Sequence, residues 1–161
     1  KKLEAQLQIE TSSRGWQLKQ KTVSGRPYTS GARGTGFLVQ FSPVDQIVFA
    51  IGFGNDQRSF FAYGINTIGA NPPLSDRIYE AMKTAFGGGE KWTVWPWGKQ
   101  TSATDQCLPI DGDWSNSDKP WLGIADGTLA TTIINAAEEV RKVLLANGLI
   151  AGQPKPTGVI S

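Results

Sequence analysis

The chain has 161 residues, of which 39% are hydrophobic and 19% charged, with 19 glycines, six tryptophans, one cysteine, no histidine and a net charge of +2. That length fits one domain, and a chain of this mass buries roughly 70% of its unfolded surface, enough for a core without staples. One cysteine excludes a disulfide framework. The missing histidine excludes the usual zinc, haem and iron–sulfur sites and the Ser-His-Asp and Cys-His nucleophile systems.

At the N-terminus Leu3, Ala5, Leu7 and Ile9 alternate with Glu4, Gln6, Gln8 and Glu10, the period-2 signature of a half-buried strand. A helix competes here, because Leu3 and Leu7 are also four apart. Thr11 to Gly15 reads as a turn, and Trp16 to Lys21 as a second strand with Trp16 and Leu18 inward, so a hairpin is expected. Ser24 to Gly36 holds five glycines or prolines among small polar residues and reads as a long loop. Phe37 to Ser42, Gln46 to Phe53 and Ser59 to Ile65 are three strands joined by turn chemistry, which favours an antiparallel meander.

A helix follows, with Ser75 as its cap, Ile78, Met82, Ala85 and Phe86 as its apolar face, and Gly87-Gly88-Gly89 as its end. Lys91 to Trp97 returns to strand, placing Trp95 and Trp97 on one face and Trp92 on the other. Gly98 to Pro120 is polar and turn-rich. The last helix is the clearest element: Leu129, Ile133, Ala136, Ala137, Val140, Val143 and Leu144 repeat at helical spacing, Asp126 or Thr128 caps the start, and Asn147-Gly148 stops it. The expectation is a single α+β domain over residues 1–152, mainly an antiparallel sheet of five to six strands with two helices packed on one face, and a flexible Pro/Gly-containing tail over 153–161.

Charge is distributed unevenly. Between Thr11 and Val44 lie five basic residues, Arg14, Lys19, Lys21, Arg26 and Arg33, with Tyr28 among them and no acidic residue. Cations and exposed backbone N–H groups on a glycine-rich loop are what phosphate contact requires, so these six residues form a candidate nucleic-acid-binding set; a solvated loop accounts for the same charges. Trp92, Trp95, Trp97, Trp114 and Trp121 crowd the second half and suit core packing or, if exposed, a stacking platform. Asp105, Asp111, Asp113 and Asp118 lack the spacing of an EF-hand and read as turn formers. Glu10 with Gln17-Leu18-Lys19 loosely mimics a magnesium nuclease set, with an amide where the second carboxylate belongs. Cys107 has no partner base and reads as inert. No catalytic set, metal site or cofactor is assigned.

The arrangement Trp95-Pro96-Trp97, then Trp114, then Trp121 with Asp126-Gly127-Thr128-Leu129 opening the last helix resembles the C-terminal region of bacterial proteins of the PD-(D/E)XK nuclease superfamily. The likeness covers residues 36–147, and its motifs are short. It implies association with nucleic-acid-processing or phage-defence proteins. It does not imply catalysis, because the metal-binding carboxylates and lysine of that family lie upstream of this region and have no copy here. The strand run Phe37 to Gly54 also resembles DNA-binding N-terminal domains of methyl-directed restriction systems.

The expected function is a non-catalytic nucleic-acid-binding or accessory domain. The alternatives are a protein-interaction or self-associating domain using an aromatic surface, and a degenerate magnesium-dependent nuclease. With no apolar run of membrane-spanning length and no signal-peptide core, no membrane partner is expected, and the lone cysteine agrees with a cytoplasmic location.

Overall fold

A computed structural model describes residues 1–21, 35–69, 72–91 and 95–152. Five strands, β1 (Gln17–Lys21), β2 (Gly36–Gln40), β3 (Ile47–Phe53), β4 (Phe61–Thr67) and β5 (Trp97–Gln100), form one sheet in sequence order. Every neighbouring pair is antiparallel. The helices are α1 (Lys2–Ser13), α2 (Pro72–Phe86), α3 (Lys119–Asp126) and α4 (Thr128–Ala146). The chain is therefore α+β with an antiparallel meander, as its alternating strands imply, but with four helices among the described residues rather than two.

Strand alternation decides what lies inside. Phe37 and Val39 of β2, Phe49, Ile51 and Phe53 of β3, and Phe61, Tyr63 and Ile65 of β4 all face the helices and are buried in the main core. The opposite face carries smaller residues, with Ala50 and Ala62 buried beside Trp95 in a second cluster. Gly64 shows why this face is small: a Cβ there would meet the Trp95 ring, the Trp97 carbonyl and the Gly98 Cα. Cross-strand packing on both faces leaves β3 buried along its whole length.

The N-terminal segment is a helix, and the hairpin expected over residues 3–21 does not form. Leu3, Leu7 and Thr11 make one buried stripe at a spacing of four, while Ile9, which an inward strand face would have hidden, is 69% exposed. The segment is built from good helix formers, Lys, Leu, Glu, Ala and Gln, so propensity and stripe agree. The helix ends where Gly15 takes a φ of 70° and the Trp16 N–H reaches back to the Thr11 carbonyl at 2.9 Å.

Helix α2 begins at Pro72, three residues before Ser75, because proline supplies a helix-ready φ at a first turn whose N–H groups need no helical partner. Ile78 and Met82 are its buried residues, Phe86 packs on Trp97, and Ala85 is exposed. Gly87 and Gly88, both at positive φ, end it. Strand β5 starts at Trp97, so Trp95 and Trp97 do not share a face: Trp97 enters the main core against Tyr63 at 5.5 Å, and Trp95 joins the cluster on the other side. Trp92 lies outside the described residues.

Helices α3 and α4 are joined by Gly127 alone, whose φ of 91° closes α3 through a bond from its N–H to the Gly123 carbonyl. Asp126 tethers this corner by accepting from the Thr128 N–H and hydroxyl at 2.9 and 2.7 Å. The predicted apolar stripe of α4 is buried from Leu129 to Leu144 except for Val143, which is half-buried at its edge. No helix among the described residues is long and apolar enough to cross a membrane.

Candidate functional site

At one end of the sheet the inward side chains do not close completely against the helices. Phe37, Ile51, Phe53 and Phe61 lie together there because the register sets Phe37 opposite Ile51 and Phe53 opposite Phe61. Leu3 at the start of α1, Trp121, Ile124 and Ala125 on α3, and Trp114 from the preceding loop complete a cavity of about 410 Å³. That volume lies within the range of small-molecule sites. Its aromatic wall is rigid: Trp114 packs on Phe53 at 5.1 Å, on Phe61 at 4.5 Å and on Trp121 at 5.4 Å between ring centroids. The Trp121 indole N–H donates to the Trp114 carbonyl at 3.0 Å, whereas the buried Trp114 indole N–H has no acceptor among the described residues.

The polar lining is cationic. Lys1, Lys2 and Arg58 line the cavity, and no carboxylate is among the described residues that do. Lys2 is held by its ammonium donating to the Ala125 carbonyl at 2.6 Å. Arg58 carries its guanidinium 5.9 Å from the Trp121 ring centroid. Its φ of 59° is the one left-handed backbone among the described non-glycine residues. The loop that imposes it is stapled by the Asn55 side chain, which donates to the Ser59 hydroxyl and accepts from the Ser59 N–H. Trp121 and Leu122 are 43% and 58% exposed, so the apolar wall continues onto the surface of α3.

Two acids that neighbour lining residues in the chain are tied into local turns, and Asp126 also feels the charge of Lys2. Asp113 accepts from Ser115 and Asn116, and Asp126 from Thr128. Those hydrogen bonds hold both carboxyls below the usual carboxylate range. They remain charged at neutral pH but are tied into local turns.

The basic residues singled out in the sequence are divided between two faces. Arg14 caps α1, pairs with Glu10 at 2.7 Å and with Glu138 of α4 at 3.2 Å, and lies 5.7 Å from the Trp16 ring centroid. Lys19 and Lys21 share the opposite face of edge strand β1, where Lys19 donates to Gln40 at 3.0 Å and Lys21 sits 5.5 Å from the Trp95 ring centroid. Burial lowers the Lys21 pKa. Arg26, Tyr28 and Arg33 lie outside the described residues. Lys21 and Gly36, between which that segment runs, are paired with each other at the cavity's end of the sheet.

The nuclease-like fragment is not assembled. Glu10 sits on α1 and is engaged by Arg14, while Lys19 is on β1 bound to Gln40, so the two belong to separate polar contacts. Among the described residues no group of three or more His, Cys, Asp or Glu side chains is placed to hold a metal ion.

One further titratable cluster is buried. Asp105 accepts from the Tyr63 hydroxyl at 2.9 Å and from the Cys107 and Leu108 N–H groups at 2.9 and 2.8 Å, and pairs with Lys99 at 2.7 Å. Burial opposes its charge, but the Leu108, Lys99 and Tyr63 contacts outweigh it and bring its pKa below the ordinary value. Burial pushes the Cys107 thiol up to about 12, so it stays protonated and unreactive. This cluster joins the loop after β5 to the sheet and reaches no cavity described above.

The sequence reading missed Lys1, Lys2 and Arg58. Trp114 and Trp121 stand out in the sequence as aromatic residues, but nothing in their spacing shows that they form two walls of one recess. No protein-family model, curated protein or solved structure matches the chain.

Proposed function

We propose that this chain is a non-catalytic binding domain whose recognition element is the cation-lined aromatic cavity at the end of the sheet. What supports this reading is the combination of a 410 Å³ recess, a rigid apolar wall, and three basic residues as its only charged lining among the described residues. An apolar group entering it exchanges water for the faces of Phe53, Phe61, Trp114 and Trp121, which is the usual source of affinity in such recesses. The reading predicts saturable one-to-one binding of a ten-carbon neutral or charged ligand, followed through the indole N–H resonances of Trp114 and Trp121. Ala125→Trp, on an exposed position of α3 lining the cavity, is expected to abolish binding without unfolding the domain. Unchanged resonances with every ligand would overturn it.

A second reading is favoured by a separate observation. Lys19 and Lys21 project from one face of an edge strand, at the start of a chain segment that carries Arg26 and Arg33 and no acid. This arrangement suits phosphate contact by an accessory domain of a nuclease-type or defence-type protein, as the resemblance implies. Fluorescence anisotropy with single- and double-stranded DNA and RNA at low salt tests it. The expected result is binding that weakens steeply with salt and with Lys19→Gln/Lys21→Gln; affinity insensitive to both would sink this reading.

A further inference from the structure

We infer that the cavity selects a monoanionic amphiphile, with an aliphatic or aryl body inside and a carboxylate at the basic edge formed by Arg58, Lys1 and Lys2. The inference rests on the proposed binding role and adds the chemical class of the ligand. Its physical basis is an asymmetry in the lining. Apart from the three basic side chains, the wall consists of aromatic and aliphatic groups contributed by β2, β3, β4, α1, α3 and the Trp114 loop. Beside a low-dielectric wall, a charge interacts more strongly than it does in open solvent, so basic residues there discriminate against neutral and cationic ligands.

The lining also argues against a larger polar ligand. Apart from the three basic residues the described wall is aromatic and aliphatic, and a nucleobase carries several polar edge atoms that such a wall would leave unmet. An alkyl or phenyl body has none to satisfy. A carboxylate matches the planar fork of an arginine, and Arg58 is held by its backbone rather than left on a free loop. Its carbonyl accepts the Trp114 N–H at 2.8 Å, and the following Ser59 is fixed by Asn55. The basic edge is therefore built into the same contact that sets the aromatic wall, and little ordering remains to be done on binding.

The test compares decanoate, decanol and decyltrimethylammonium, all below micelle-forming concentrations, by calorimetry and by the indole N–H resonances. Decanoate is expected to bind about tenfold more tightly than decanol, the scale of a charge-assisted hydrogen bond, and decyltrimethylammonium most weakly. The preference for decanoate should shrink as salt is raised. Arg58→Asn combined with Lys2→Gln should bring the ratio of decanoate to decanol affinity close to one; asparagine tolerates the left-handed backbone, so the loop is kept. Circular dichroism of the double variant must match the parent for this comparison to be read, and Arg58→Asn alone supplies the same comparison with a smaller change. Equal affinity for decanoate and decanol, or a preference that survives both substitutions, would overturn the carboxylate class while the cavity reading stands. Absence of binding by all three would instead overturn the cavity reading itself.

Discussion

The Arg58 carbonyl accepts the Trp114 N–H at 2.8 Å, which fastens the β3–β4 loop to the segment that supplies the cavity's central indole. The neighbouring bond, from the Phe61 N–H to the Gly112 carbonyl at 2.8 Å, continues the same seam. Together they explain how a non-glycine residue is kept at positive φ, a conformation that costs roughly 1–2 kcal/mol for an ordinary side chain. The cavity wall and the one left-handed non-glycine position among the described residues are parts of a single structural unit.

Substitutions at Arg58 should therefore separate backbone from charge. Arg58→Asn is expected to leave stability within about 0.5 kcal/mol of the parent, because asparagine visits the left-handed region at little cost. Arg58→Val should lose about 2 kcal/mol or more, since a β-branched side chain fits that region worst. Urea unfolding of the two variants is the check. Equal loss in both would mean that the guanidinium contacts, rather than the backbone, dominate at this position.

The seam was only partly readable from the sequence. The β2–β3–β4 meander was legible because each strand alternates large inward residues with smaller ones and is bounded by turn chemistry. Residues 2–13 were ambiguous because Leu3 and Leu7 satisfy both periods, and only the burial of Thr11 with the exposure of Ile9 separates them. Helix α3 overlaps the polar stretch Gly98 to Pro120 only at its first two residues and is too short for a periodic signal, although Pro120 in its first turn and Gly127 beyond its end are ordinary start and stop signals. The cavity was out of reach for a different reason: residues as far apart as Leu3, Phe37, Arg58 and Trp121 form it, and no local pattern connects them.

Asp105 should set the acid limit of stability. Its pKa is lowered in the folded chain, so the stabilisation it gives is present above the unfolded carboxyl value near 3.9 and is lost as pH falls through the folded value. Unfolding free energy is thus expected to change little from this group between pH 7 and 5 and to fall below about pH 4. Asp105→Ala should cost about 3 kcal/mol at pH 7, because it leaves the Tyr63 hydroxyl, two N–H groups and the Lys99 ammonium without their common acceptor. It should also flatten the acid limb. Chemical denaturation of parent and variant across this range measures both effects, and an unaltered acid limb in the variant would assign it to other carboxylates.

Glycine substitutions distinguish steric from conformational limits. Gly64→Ala places a methyl against the Trp97 carbonyl, the Trp95 ring and the Gly98 Cα, where the sheet and the second cluster meet. Overpacking of this kind costs about 1–3 kcal/mol, and backbone neighbours that cannot rotate away favour the upper end. Gly69→Ala meets nothing nearby, so its penalty comes from its φ of 93° alone and should be about 1 kcal/mol. A larger loss at Gly69 than at Gly64 in thermal unfolding would contradict the packing argument.

Arg14 tests how the basic residues divide their work. Its guanidinium joins Glu10 and Glu138, binding α1 to α4, and packs over Trp16, but its side chain remains 31% exposed. Solvent screening keeps such pairs weak, so Arg14→Ala should lose about 1 kcal/mol, part of it from the ring contact. Because two carboxylates already flank it, the same substitution should leave any DNA affinity within about twofold of the parent, whereas Lys19→Gln/Lys21→Gln on the far face should weaken it several-fold. Anisotropy titrations of the variants, read beside their urea midpoints, decide the matter: a large affinity loss from Arg14→Ala at unchanged stability would place phosphate contact on the helical side of the sheet instead.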